Sequence, residues 1–144
     1  MKGNRMAQLI PNLAFAGNTE EVLGHYQRAL GGDLELARYA GSPAEAMAPA
    51  AWGDKILYGS LHSPFGVVSA MDAPPGHQGT PGDNFSISVQ LEDEARAAAI
   101  FAALAGGGDV TMPFEPTFYA KKFGMLKDRF GIRWMVHVPV AVLV

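Results

Sequence analysis

A strand-and-helix pattern occurs twice along this chain. Residues 11–32 read PNLAFAGNTEEVLGHYQRALGG, and residues 86–107 read SISVQLEDEARAAAIFAALAGG. Each copy has a short alternating strand, a capping Asn18 or Asp93, a helix with an inner aromatic residue, and a glycine pair. The caps are 93 − 18 = 75 residues apart, and so are the aromatic residues Tyr26 and Phe101. A repeat at this spacing predicts two similar half-domains with a cleft between them.

Three further strand patterns follow each predicted helix. A stretch rich in glycine and proline, residues 74–84, separates module one (8–73) from module two (85–138). An apolar tail, 139–144, ends the printed sequence. The chain is interpreted as one α+β domain. Its predicted strands are 8–16, 34–39, 55–62 and 67–72 in module one, and 85–91, 110–114, 118–126 and 132–138 in module two.

The composition narrows the possible partners. Charged residues make up 17% of the 144 residues, below the usual value of about 25%, and hydrophobic residues make up 49%. Such a chain has more apolar surface than a lone domain covers, which predicts a homodimer, an apolar ligand cleft, or both. The net charge of −3 without a basic cluster argues against nucleic acid as a partner. Without cysteine, disulfides and thiolate chemistry are excluded.

Targeting signals are not evident in the sequence. Residues 1–5 lack the apolar core of a signal peptide, and no apolar run approaches the ~18 residues that a membrane span requires. We therefore expect a cytoplasmic protein without a membrane partner.

Several motifs, in order along the chain, resemble one family. They are FAGNTEE at 15–21, MDAPPG at 71–76, GDNFSIS at 82–88 and FGMLKDRFGIRWM at 123–135. The set resembles the vicinal oxygen chelate superfamily, which includes glyoxalase I, extradiol dioxygenases, and fosfomycin and bleomycin resistance proteins. Within it, the chain is similar to the PhnB-like (3-demethylubiquinone methyltransferase-like) branch. The resemblance implies a glyoxalase-like fold in which two βαβββ modules form a curved mixed sheet around a cleft, commonly in a dimer.

The resemblance does not extend to the metal ligands of that superfamily. Metal-using members place His, Glu or Gln at inward-facing strand positions, two in each module. The aligned positions here are Pro11, Ser69 or Met71, Ser86 and Met135, and none is a strong ligand for a divalent metal. No cofactor is therefore predicted. A divalent metal stays an alternative, and its first candidate ligands would be His62, Asp72 and His137.

Other polar residues have simpler interpretations. His25, next to the inner Tyr26, is expected on the solvent side of the first helix, because adjacent helix positions do not share a face. His77 is expected to be exposed in the linker. Asp72 and Asp128 follow turn patterns, which favour bonds to their own backbone.

A set of apolar and small polar side chains on the predicted strands is the candidate ligand site. Ligand clefts are mostly apolar with a few placed polar groups. The alignment with the family puts Met135 in the cleft, and strand alternation then puts Trp134 on the other side, against a helix or a partner subunit. The predicted ligand-binding residues are Phe15, Tyr58, Met71, Ser86, Ser88, Phe118, Tyr119, Phe123 and Met135.

Three functions remain open at this point. The first is a metal-free protein that binds a small apolar or aromatic ligand in the cleft. The second is a metal-dependent lyase, isomerase or dioxygenase with an atypical ligand set. The third is a dimeric interaction module without a small ligand. The sequence favours the first, because the aligned metal positions lack ligands and polar groups accompany the aromatic residues.

Overall fold

The computed structural model describes residues 7–140, which contain eight strands and two α-helices. Two short 3₁₀ turns, Glu45–Met47 and Ala50–Trp52, lie in the loop after the second strand. None of the helices in the described range is long and apolar enough to cross a membrane. The first module consists of β1 Asn12–Phe15, α1 Thr19–Leu30, β2 Asp33–Arg38, β3 Ile56–Ser63 and β4 Gly66–Asp72. The second consists of β5 Ile87–Gln90, α2 Glu94–Ala105, β6 Asp109–Glu115, β7 Ala120–Lys127 and β8 Arg133–Pro139.

The repeat in the sequence is a repeat in the structure. β5 begins 87 − 12 = 75 residues after β1, and α2 begins 94 − 19 = 75 residues after α1. Each module forms a four-stranded mixed sheet, with the orders β1-β4-β3-β2 and β5-β8-β7-β6. In each, the first strand runs parallel to the last. The α+β class and the two βαβββ modules are therefore confirmed.

The chain divides into two compact units that differ slightly from the modules. The first unit holds residues up to Leu23 together with Gly32–Gly79. The second holds Gly24–Gly31, which is the later part of α1, together with the chain from Thr80 onward.

Each sheet has a glycine where a helix side chain comes close. A Cβ at Gly59 of β3 would lie 2.6 Å from Leu23 Cδ1 in the first unit. In the second unit, a Cβ at Gly124 of β7 would lie 2.6 Å from Phe101 Cε1 and 2.9 Å from Phe114 Cα. These glycines let the helices approach the sheets closely. The apolar stripe predicted for α2 is buried as expected: Ala97, Ile100, Phe101 and Leu104.

Some predicted strand boundaries were wrong. β1 begins at Asn12 rather than residue 8, and Pro11, which has no N–H, joins the sheet only by accepting the Ser69 amide at 3.0 Å. Phe118 and Tyr119, predicted on a strand, precede β7 in a bend. Thr117 causes the bend, because its Oγ1 accepts the amides of Tyr119 (3.2 Å) and Ala120 (2.9 Å). Most of the apolar tail, 141–144, lies outside the described residues.

The prediction for His25 was also wrong. Its side chain is buried at 7% exposure, and its Nε2 lies 3.3 Å from the Leu104 carbonyl oxygen. Its ring centroid lies 5.5 Å from that of Phe130 in an edge-to-face arrangement. Tyr26, the next residue, is fully buried as well. This part of α1 therefore buries two adjacent positions, because it is contacted both by the end of α2 and by the β7–β8 turn. His77 is exposed, as predicted.

Candidate functional site

The sheet of the second unit has two distinct faces. Trp134, Val136 and Val138 of β8 are buried and alternate with half-buried Arg133, Met135 and His137. The buried set lies on the side of the helices, where the Trp134 ring meets Tyr26 of α1 at 4.9 Å. The expected separation of Trp134 from Met135 thus agrees with the register. The opposite side, the Met135 face, is made of Ser88, Gln90, Phe123, Met125, Arg133, Met135 and His137.

The strand pairing arranges the Met135 face in rows. Met135 lies between Ser88 of β5 and Met125 of β7, and His137 lies between Gln90 and Phe123. The structure therefore brings together three predicted ligand-binding residues, Ser88, Phe123 and Met135. Ser86 comes just before β5 and is half-buried.

A row of four rings leads from the protein surface to this face. Phe118 is fully exposed at 97%. Its ring centroid lies 5.0 Å from that of Tyr119, and the Tyr119 centroid lies 5.5 Å from that of Phe123. Phe123 in turn meets His137 at 5.9 Å. All three contacts are edge-to-face or nearly so, the geometry that aromatic pairs prefer. Such a row gives a flat aromatic ligand several ring edges and faces to contact.

Two polar atoms of the Met135 face are buried without a hydrogen-bond partner among the described residues. They are Arg133 Nε and His137 Nε2. The other ring nitrogen of His137, Nδ1, lies 3.2 Å from Gln90 Oε1. A buried polar atom without a partner costs about 1–3 kcal/mol, so each one calls for an explanation.

The first unit carries a polar chain on the side of its sheet opposite α1, which we call the Tyr58 face. Tyr58 Oη lies 3.3 Å from Ser69 Oγ, and Ser69 Oγ lies 3.5 Å from Ser60 Oγ. His62 Nε2 then lies 3.2 Å from Ser60 Oγ and 3.3 Å from Glu35 Oε1. Met71 shares this face with Tyr58. Met71 lies two residues from Ser69 along β4, and Tyr58 lies two residues from Ser60 along β3, so each pair is on one side of the sheet.

The Glu35, His62 and Ser60 contacts do not form a hydrolytic triad. In a triad, the carboxylate and the nucleophile bind different nitrogens of the imidazole. Here both contacts are made by the same nitrogen, Nε2. Ser60 is also 1% exposed, which keeps its hydroxyl from a substrate. This polar chain of side chains is therefore interpreted as a structural network across β2, β3 and β4.

Phe15 lies apart from the other predicted ligand-binding residues. It pairs with Asp72, and it alternates with Ala14, which pairs with Met71. Strand alternation thus puts Phe15 on the α1 side of its sheet, with the buried Leu13. We leave Phe15 out of the candidate site.

Asp72 holds the start of α1. Its Oδ1 accepts the amides of Gly17 and Thr19, each at 3.0 Å, and its Oδ2 accepts the amide of Ile56 at 2.8 Å. A carboxylate at a helix N-terminus also interacts favourably with the helix dipole. Since the carboxylate is 1% exposed and both oxygens are engaged, it is not available to a ligand.

Asp128 is the buried carboxylate of the second unit, and it holds the β7–β8 turn. Its Oδ1 accepts the amides of Phe130 (2.9 Å) and Ile132 (3.0 Å), which closes the β7–β8 turn. Its Oδ2 accepts the Tyr26 hydroxyl at 2.6 Å and Trp134 Nε1 at 3.0 Å. Turn chemistry predicts the two backbone bonds. The contact with Tyr26 was missed, because 102 residues separate it from Asp128 in sequence.

The donor set does not fit a metal ion. Within residues 7–140, no three His, Asp or Glu side chains converge on one point. Of the three candidates named above, Asp72 is engaged by backbone amides and His62 by Glu35. A metal site requires at least three converging ligands. The function proposed below therefore includes no metal-dependent step.

Comparison with known proteins then decides the family. The family model of the Glyoxalase/Bleomycin resistance protein/Dioxygenase superfamily matches residues 8–136. The chain belongs to this superfamily. The curated Escherichia coli K12 protein YjdN is 27% identical over 139 residues, covering 90% of this chain and 94% of YjdN.

Solved structures agree with this membership. Protein PA1353 from Pseudomonas aeruginosa is 40% identical, with a TM-score of 0.81 over 91% of this chain and 96% of that one. A PhnB protein from Bacillus cereus, named for a 3-demethylubiquinone-9 3-methyltransferase, is 22% identical, with a TM-score of 0.73 over 91% and 98% of the two chains. The likeness to that PhnB protein is one of fold. The predicted resemblance to the superfamily is confirmed. Its PhnB-like branch stays a prediction.

The Tyr26 hydroxyl should resist ionisation at high pH. Burial raises the pKa of Tyr26 far above its ordinary value of about 10, and the charge of Asp128 and its hydrogen bond raise the pKa further. The unfolded chain ionises Tyr26 near pH 10 while the folded chain does not. The stability that Tyr26 contributes is therefore complete below about pH 10 and is lost as the pH rises above it.

Ultraviolet titration of tyrosinate checks this expectation. Folded wild type and Tyr26→Phe should give equal tyrosinate absorbance between about pH 10 and 11. In denaturant near pH 11, where a free tyrosine is about nine-tenths ionised, the wild type should exceed the variant by nearly one tyrosine. A difference of one tyrosine between the folded proteins would mean that Tyr26 ionises in place.

Proposed function

We propose that this protein binds a small aromatic or apolar molecule on the Met135 face. The observation that carries the proposal is the ring row from Phe118 to His137 beside the paired side chains of Met125 and Met135. Methionine adapts to ligand shape and makes favourable contacts with aromatic rings. Ser88 and Gln90, next to Met135 and His137, add the few polar groups typical of such sites.

The proposal involves binding without metal chemistry. Its support is the side-chain chemistry of the Met135 face, where thioether, phenyl and hydroxyl groups predominate over metal ligands. Ligand binding at this site requires no covalent step, and none is proposed.

Met135→Glu should strongly weaken the binding of a neutral aromatic probe. With 4-phenylphenol as the probe, we expect the affinity to fall at least tenfold, about 1.4 kcal/mol, because a carboxylate beside the ligand ring would lose its hydration. Isothermal titration calorimetry measures the affinity, and circular dichroism checks the fold. Met47→Glu is the matched control, since Met47 is 73% exposed.

Two outcomes would count against the proposal. Unchanged binding by Met135→Glu would place the ligand elsewhere. If Met135→Glu unfolds the protein while Met47→Glu does not, Met135 is a core residue and the site built on it is wrong.

We also propose that the protein forms a homodimer. Charged residues are sparse, and the edge strand β6 carries Val110 and Met112 at 50% and 40% exposure. A second copy would cover these side chains, and a charge on an edge strand opposes such pairing. Sedimentation velocity at micromolar concentration should show a dimer that Val110→Lys weakens and Leu9→Lys, at a fully exposed position, does not. A wild-type monomer throughout would overturn this proposal.

A further inference from the structure

The two unpartnered atoms of the Met135 face lie on one strand and differ in chemistry. Arg133 Nε carries a hydrogen and can only donate a hydrogen bond. His137 Nε2 can accept one when Nδ1, which faces Gln90 Oε1, carries the hydrogen. The described residues give neither atom a hydrogen-bond partner. Two such atoms on a single face indicate that a ligand supplies the missing hydrogen bonds.

The contact with Gln90 sets the tautomer of His137. Gln90 Oε1 is a carbonyl oxygen, which can only accept, so this orientation of the Gln90 amide assigns the hydrogen to the ring nitrogen Nδ1, 3.2 Å away. In the neutral imidazole, Nε2 is then the unprotonated nitrogen and an acceptor. His137 therefore presents an acceptor to a ligand, and the ligand must supply a donor.

The spacing of the two residues defines the length of the ligand. Arg133 and His137 are four residues apart on β8, which separates their Cα atoms by roughly 13 Å at about 3.3 Å per residue. Met135 lies midway between them on the same face, with Met125 beside it. The middle of the ligand is therefore apolar, and its two ends are polar.

The charges near Arg133 favour an anion at that end. Lys127 of β7 pairs with Arg133 in the register and adds a second cation. Two carboxylates oppose these cations. Asp109 of β6 pairs with Lys127 and is exposed. Asp83 Oδ2 lies 3.9 Å from Arg133 Nη2, but Asp83 is 81% exposed. A solvated contact of that length is weak, so a ligand carboxylate can compete with it.

We propose that the Met135 face binds rod-shaped aromatic acids that carry a hydrogen-bond donor at the far end. The donor bonds to His137 Nε2, the carboxylate bonds to Arg133, and the rings lie over Met135 and Met125. This inference rests on the proposed function of the face and adds the chemical class of its ligand. Phe118 and Tyr119 lie in the bend before β7, outside the strand pairing.

Three biphenyl probes test the inference by calorimetry. 4′-Hydroxybiphenyl-4-carboxylate carries both the hydroxyl donor and the carboxylate. 4′-Methoxybiphenyl-4-carboxylate lacks the donor, and 4-phenylphenol lacks the carboxylate. The first should bind at least about tenfold more tightly than either of the others. His137→Phe should remove only the preference for the hydroxyl, and Arg133→Met only the preference for the carboxylate. His77→Phe, at an exposed loop position, should change neither.

The outcomes separate this inference from the proposed function. If all three probes bind equally, the ligand class is overturned and the binding function stands. If none binds at millimolar concentration, the binding function fails and the ligand class fails with it. Nitrogen NMR of the His137 ring gives a test independent of the variants: Nε2 should be unprotonated in the free protein, and a protonated Nε2 would overturn the inference.

Discussion

Replacing Asp128 with asparagine is expected to lower the free energy of unfolding by about 3 kcal/mol. All four groups that contact the carboxylate are donors: two backbone amides, the Tyr26 hydroxyl and Trp134 Nε1. Asparagine has a single acceptor oxygen, so its NH₂ group would face two of these donors at a site that is 3% exposed. This loss is a large share of the ~5–15 kcal/mol that stabilises a typical domain.

Chemical denaturation of the purified protein measures the effect. Asp83→Asn is the matched control, because it makes the same chemical change at an 81% exposed side chain and should shift stability by less than about 0.5 kcal/mol. Tyr26→Phe combined with Asp128→Asn should lower the free energy of unfolding by less than the sum of the two single changes. Both changes remove the same hydrogen bond, from the Tyr26 hydroxyl to Asp128. Equal stability of Asp128→Asn and wild type would mean that the carboxylate is not the hub of this network.

Asp72→Asn should cost about 2–3 kcal/mol by the same logic. The amides of Gly17 and Thr19 share one oxygen and the Ile56 amide takes the other, so the asparagine NH₂ would face at least one donor. The change also removes a negative charge from the start of α1, where the helix dipole favours one. We expect the loss in the free energy of unfolding without a change in the fold.

Asp93→Asn separates this effect from ordinary capping. Asp93 caps α2 and accepts one backbone amide, that of Arg96, at 3.0 Å. Asparagine caps helices about as well as aspartate, so this variant should stay within about 0.5 kcal/mol of wild type. An Asp72→Asn protein as stable as Asp93→Asn would show that the three amides of the first unit do not depend on the carboxylate.

Local patterns in the sequence predicted most of the fold. The cap at Asp93 and the stripe ending at Leu104 depend on residues within one helix, so the bounds of α2 follow directly from the sequence. Strand alternation likewise separated Met135 from Trp134, because the side of a strand residue changes with every step. Phe118 and Tyr119 were placed on a strand in error, because a turn stabilised by one threonine hydroxyl has the same apolar pattern as a strand.

The polar parts of the candidate site were harder to predict. The bond of His137 to Gln90 depends on the parallel pairing of β5 with β8, which joins residues 47 apart in sequence. The buried position of His25 likewise depends on Leu104, 79 residues away. Helix periodicity alone assigned His25 to the solvent. In both cases, tertiary pairing decides which polar atoms meet, and no local pattern encodes it.

The central claim, that a small ligand binds the Met135 face, is tested most directly by NMR of the methionine methyl groups. On titration with 4-phenylphenol, the methyl signals of Met125 and Met135, assigned with leucine variants, should shift together and saturate. Met47, in the loop after β2, is the internal control, and its signal should not move. Saturable binding with a shift at Met47 and none at Met125 and Met135 would contradict the account.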